Sequence, residues 1–446
     1  MNREISRNSL QLYQARVEGV SRQKEYRTMA LLTFCVAAAL CVVRLISYYL
    51  PIQNDLVSDL VFTLLMQVGV LVIMPVLFYK FLLKKDVRGM LSFSGFHATK
   101  WYNYALAVPI GLCCHIVTIG VSSIWQSILI SLGYTHGSSP LPETFSAGAL
   151  VLTLILTGVL PGFCEEFFNR GGLLKTVRGS HAFRLTVVLM GVEFGLFHQN
   201  ITQVFYTALF GAFMAFFALR LKSVYPCMII HFVNNSFSVL NDYCDEYGFC
   251  NGGLYRFINQ TAATRPQLVM LAYVLFAAIL VGLVALTLYL NSARRLAKKK
   301  EVIASSGFDH TNNRVVLVGE EDTEKVRELD LDKEVYGHKL EEDLYKPTLA
   351  DNAFFYGAIG VCVFTTVFTF IFGGRGSVDG GSNYCVCKVK EKFFMIPGKP
   401  GGFPFLFPAY RNRRLVDPHP LFDTIPDKQT VLPVTVTVVA ADKKGI

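Results

Sequence analysis

The sequence predicts an all-α fold, a polytopic transmembrane helical bundle of about eight helices with a ninth candidate run. Three observations carry that prediction. Of 446 residues, 52% are hydrophobic and only 17% are charged, against roughly 25% charged in soluble domains. The apolar residues fall into runs close to the roughly 20 residues that a helix needs to cross a bilayer core. Lys and Arg collect in alternate loops between those runs.

Residues 1–28 are polar and arginine-bearing, without the short apolar core and cleavage site of a secretory signal, and are expected to form an uncleaved cytoplasmic segment. Apolar runs follow at about 29–50, 57–83, 103–132, 147–174, 184–200, 203–221, 224–241 and 267–290. The fifth to seventh are short and broken by polar residues, as suits helices enclosed in a bundle. Lys and Arg stay on the cytoplasmic side of a membrane. Loops 80–100, 175–184 and 220–222 and the Arg294–Lys300 cluster are basic, whereas 51–56, 133–146 and 241–265 are poor in Lys and Arg. Eight alternating crossings satisfy every loop.

The expected organisation is a cytoplasmic segment 1–28, a transmembrane domain 29–291 with its core near 147–241, and a basic then acidic cytoplasmic linker 292–350. A candidate ninth crossing spans 351–373, apolar from Ala353 to Phe372. A tail, 374–446, has one strand-like stretch at Val431–Ala440 and no assigned role. The chain reads as a multi-pass protein of the cell membrane with a cytoplasmic amino terminus. Its formal charge of +9 sits beside hydrophobic runs, which fits a lipid bilayer and anionic headgroups as partners rather than nucleic acid.

Most of the eleven cysteines lie in apolar runs, where cysteine packs as a small hydrophobe. Cys244 and Cys250, and Cys385 and Cys387, stand apart as pairs. Under the predicted topology Cys244 and Cys250 lie outside the cytoplasm, where a disulfide between them would persist. No tetrad has zinc-finger spacing.

Ionisable residues at membrane depth are costly and ordinarily carry function. Here they form three patterns: Glu165-Glu166-Phe167-Phe168-Asn169-Arg170, Phe194-Gly195-Leu196-Phe197-His198, and His231-Phe232-Val233-Asn234-Asn235. Residues four apart share a helix face, which pairs Glu166 with Arg170, Phe194 with His198, and His231 with Asn235. Glu165, about 100° away on the same helix, is left to hold a water. At about 1.5 Å rise per residue, Glu165 lies roughly 15 Å from Lys175, His231 roughly 13 Å from Lys222, and His198 about 21 Å from Arg184. The three therefore share a depth near the bilayer middle.

Two neighbouring carboxylates in a low dielectric suit a general base. Glu165 with His198 would activate a water against a peptide carbonyl, and His231 with Asn235 would donate to the developing oxyanion. Glu165, His198 and His231 also make a conceivable zinc set with an open position. The HExxH signature is absent, and Asn235 suits an oxyanion donor better than a ligand. This favours a glutamate-activated water with no obligatory cofactor, a divalent metal such as zinc remaining the alternative. His115 and Glu193 read as helix–helix hydrogen bonders, Arg44 as a snorkelling residue, and Pro161 as a kink in the fourth helix.

In this order on successive membrane segments, the patterns EExxxR, FxxxH and HxxxN resemble the CAAX protease and bacteriocin-processing family of intramembrane proteases, also called the Abi family. The resemblance covers about residues 147–241 and implies catalytic roles for Glu165, His198, His231 and Asn235, with Glu166, Arg170 and Phe194 in support. It implies a peptide or protein substrate at the membrane. The family includes both metalloproteases and metal-independent glutamate proteases acting on prenylated CAAX proteins. A non-catalytic membrane adaptor or bacteriocin-immunity protein, acting by partner binding, is the competing reading. An ion-coupled transporter is a third, without the inverted repeats expected of one.

Overall fold

A computed structural model describes residues 2–49, 55–84, 95–132, 134, 145–305, 307–309, 314–316 and 345–372. The expected tail 374–446, Cys385, Cys387 and most of the acidic linker lie outside the described residues. Helices account for nearly all of what is described, because a backbone in lipid must satisfy its own N–H and C=O groups. A three-residue antiparallel ladder, Gly307–Asp309 with Arg314–Val316, is the one strand pair among the described residues.

In chain order the helices are α1 (Asn2–Tyr49); α2, built from Asp55–Leu64, a π-helical stretch Leu65–Ile73 and Met74–Phe81; and α3 (Trp101–Ser131). Then comes α4, in which α-helical Ala147–Thr153, Leu160–Glu166 and Leu174–Ser180 alternate with π-helical Leu154–Val159 and Phe167–Leu173. It is followed by α5 (Phe183–Phe197), α6 (Ile201–Leu221), α7 (Tyr225–Tyr247), α8 (Gly253–Thr264), α9 (Pro266–Ser305) and α10 (Leu349–Phe372). The expected loop 241–265 therefore holds a helix of its own.

Seven described helices are long and apolar enough to cross a membrane: α1 through α4, α6, α9 and α10. The two predicted crossings outside that set are α5, with only 15 residues, and α7, interrupted by His231, Asn234, Asn235 and Asn241. At 1.5 Å per residue α5 reaches only about 23 Å, short of a roughly 30 Å hydrocarbon core. These two helices carry two of the three motifs.

The break in α4 has a local cause. Pro161 has no N–H to give the carbonyl four residues back, and its ring crowds that position. The chain widens into the π-helical turn Leu154–Val159 just before it, and Asn235 Nδ2 donates to the freed Thr157 carbonyl at 3.0 Å. The kink expected at Pro161 is thus a π-bulge with a side-chain partner from α7.

Small residues let the site helices approach closely, as is usual in membranes. A Cβ on Gly162 would stand 3.2 Å from the Phe232 backbone nitrogen, so α7 lies against the backbone of α4. A Cβ on Gly195 would stand 2.6 Å from the Val204 carbonyl oxygen, which leaves room only for glycine between α5 and α6.

The ninth run lies apart in sequence but not in space. Arg27 and Gln23 of α1 both donate to Asp351, and Tyr26 donates to Asn352 at 2.6 Å. Phe34 packs on Phe354, and Ala37 is buried with Ala358 and Cys362. Residue numbers climb together along the contact, so α10 runs parallel to α1. Asp351 is fully buried and also accepts from Tyr345 and Thr348.

Candidate active site

The three motifs converge. Glu166 and Arg170, four apart on α4, form the expected ion pair: Arg170 Nη1 donates to Glu166 Oε1 at 3.0 Å, and neither side chain is exposed. Arg170 Nη2 donates to the Gly211 carbonyl of α6 at 2.9 Å, and its guanidinium lies 4.5 Å from the Phe194 ring centroid. One arginine thereby ties α4, α5 and α6 together. His231 of α7 donates from Nδ1 to the same Glu166 oxygen at 3.0 Å. Its Nε2 faces Glu165 Oε2 across 3.9 Å, too far for a direct hydrogen bond. Rings of Phe194 and Phe210 enclose it edge-on.

His198 ends α5. Its Nδ1 lies 2.8 Å from the Phe194 carbonyl. A carbonyl only accepts, so Nδ1 carries the proton and Nε2 is the accepting nitrogen of the neutral ring. Glu165, His231 and Arg44 are close enough for their charges to act on this ring. Asn235 sits one helical turn beyond His231, and its Nδ2 is engaged by Thr157. Its Oδ1 accepts from Asn234 Nδ2 at 2.9 Å, and Asn234 in turn accepts from Thr118 of α3 at 3.4 Å.

Several expectations change. Arg44 does not snorkel; Nη2 donates to the His198 carbonyl at 3.1 Å. Glu193 does not act as a helix–helix hydrogen bonder: neither carboxylate oxygen has a hydrogen-bond partner among the described residues. His115 does act as expected, accepting from Asn241 at 3.4 Å. Cys244 and Cys250 stand side by side as thiols, close enough for the disulfide considered above. Among the described residues no group of three His, Cys, Asp or Glu side chains is arranged as a metal-binding cluster.

One contributor was missed. Gln67, on the π-helical stretch of α2, donates from Nε2 to Glu165 Oε1 at 2.9 Å. It is 9% exposed. A single amide within the apolar stretch Val57–Phe81 was the available signal. Gln67 fixes one Glu165 oxygen and leaves the other for His231. Gln67→Leu is therefore expected to lower turnover about ten- to hundredfold, the usual cost of losing an orienting partner, while leaving thermal stability near wild type. Peptide-cleavage kinetics beside a melting curve in detergent check this.

Residues 147–237 match the family model for type II CAAX prenyl endopeptidase, Rce1-like. All three motifs fall within this Rce1-like segment, in agreement with the resemblance on its CAAX-protease side. The family is one of intramembrane endopeptidases, so the match points to hydrolysis of a peptide bond by a membrane protein. No curated protein and no solved structure matches the chain. Helices α1, α2, α3, α9 and α10 lie outside the Rce1-like segment, yet α2 supplies Gln67 and α1 supplies Arg44.

Proposed function

We propose that this chain is an intramembrane glutamate-type endopeptidase that hydrolyses a peptide bond of a prenylated CAAX polypeptide. We place it as a multi-pass protein of a cell membrane with its amino terminus in the cytoplasm. The observation that carries the reading is the gathering of Glu165, Glu166 and His231 around one gap, with His198 beside them. A water at the apex of the 3.9 Å gap between Glu165 Oε2 and His231 Nε2 would be held from both sides. Buried polar atoms without a hydrogen-bond partner among the described residues lie here: Gln67 Oε1, Glu166 Oε2, Asn169 Oδ1 and Arg170 Nε. Such atoms are ordinarily satisfied by ordered water, which suits a site that consumes it.

In this reaction Glu165 takes a proton from the water as its oxygen attacks the scissile carbonyl, and the Nε2 lone pair of His198 helps hold that water. Glu165 then returns the proton to the leaving amine. Negative charge developing on the carbonyl oxygen is met by His231, whose ring is anchored by Glu166 at its other nitrogen. The second N–H of Asn235, beyond the one held by Thr157, is the other donor. The substrate class rests on the family's description.

The test is cleavage of an internally quenched, farnesylated CAAX peptide by the purified full chain, with and without 1,10-phenanthroline. Cleavage that persists under chelation is expected. Loss of cleavage that added zinc restores would replace the glutamate reading with a metalloprotease one. A chain that leaves the farnesylated peptide intact but cuts an unprenylated membrane peptide would change the substrate class.

A further inference from the structure

The residue after His198 has an unusual backbone. Gln199 lies at φ +47°, a left-handed conformation that costs a side-chain-bearing residue roughly 1–2 kcal/mol. Such strain persists only where surrounding structure holds it. Gln199 is completely buried, and its Nε2 donates to the Ala37 carbonyl of α1 at 3.0 Å and toward Cys362 Sγ of α10 at 3.8 Å. A small cluster of Ala37, Ala358 and Cys362 packs there against Leu196 and Phe197 of α5. Arg44 of α1 holds the adjacent His198 carbonyl.

We propose that Gln199 is a positioning residue for the reaction: it ties the turn bearing His198 to α1 and α10, and so makes the last described helix part of the catalytic unit. The inference rests on the reading of His198 given above. Neither α1 nor α10 falls within the Rce1-like segment, so the tether belongs to this chain's own surroundings. Gln199 itself touches no reacting atom. It works by fixing where α5 ends and therefore where the His198 ring stands relative to Glu165, His231 and Arg44, the charged and titratable groups that face it.

Gln199→Ala keeps a Cβ in the left-handed turn and removes the tether. Two measurements on the full chain decide the matter. In the first, the farnesylated quenched peptide is cleaved across pH. The variant is expected to lose about tenfold in kcat with KM within about twofold, as a small misplacement of a catalytic group would do. Its pH–rate limb is expected to move by about half a unit or more, because the imidazole meets a changed field. A fraction of misfolded enzyme would lower the apparent kcat without moving that limb.

In the second, carbethoxylation of His198 by diethylpyrocarbonate is followed by mass spectrometry. A several-fold change in rate is expected. Unchanged modification together with an unchanged limb would overturn the proposal. Should wild type cleave no peptide, the functional reading fails while the modification rate still decides the tether. If Gln199→Ala does not accumulate, Cys362→Val, which removes the sulfur acceptor at similar volume, carries both measurements.

Discussion

Glu165→Gln is expected to abolish cleavage, with turnover falling at least about a thousandfold, within the range that general-base catalysis supplies. The substitution is nearly isosteric and keeps an oxygen for Gln67, whose Nε2 now donates to Glu165 Oε1. What it removes is the proton acceptor facing His231 Nε2. The variant should therefore insert, melt near the wild-type temperature and bind substrate peptide with little change. Single-turnover assays with the farnesylated peptide, together with a binding measurement on the same preparation, check both halves. An adaptor acting by partner binding would keep its function in this variant, so a Glu165→Gln chain that rescues a deletion phenotype would remove the enzyme reading.

The second large effect is structural. Arg170→Met is expected to destabilise the bundle by about 3–5 kcal/mol, the typical cost of leaving one member of a buried pair behind. Glu166 would keep only His231, the Gly211 carbonyl would lose its donor, and the Phe194 face would lose its cation. The fall should appear as a lowered melting midpoint in detergent. Adding Glu166→Gln should recover much of that loss by discharging the orphaned carboxylate, while keeping an acceptor for His231 Nδ1. Activity should stay low in the double variant, because His231 would lose the carboxylate that anchors it. Equal melting of Arg170→Met and wild type would mean that the pair contributes nothing to the fold.

How much of this was legible follows from the range of each interaction. The Glu166–Arg170 pair and the Phe194–His198 contact are local, four residues apart on one helix, and spacing alone finds them. The His231–Asn235 face was legible as a face but not as a set of partners. His231 goes to the glutamates, while Asn235 goes to a carbonyl freed by a proline 74 residues earlier in the chain. Gln67, Arg44 and Gln199 act across long sequence separations. An isolated amide or guanidinium in an apolar run does not announce its partner. Nor does hydropathy show the π-helical stretches that carry Gln67 and Arg170, since winding depends on which carbonyls neighbouring helices satisfy. The membrane class itself was plain, because composition and run length report it directly. The short α5 and polar α7 were legible as enclosed helices for the same reason: neither could stand alone in lipid.

The α1–α10 seam joins residues 324 to 328 positions apart, at Arg27 and Gln23 with Asp351. A ribosome delivers α1 long before α10, so one flank of α1 lacks its eventual neighbour while the helices between them are made. Closing so wide a loop is slow relative to local pairing. The later-made helix thus closes this seam, and the turn behind His198 receives its Cys362 contact only at that moment.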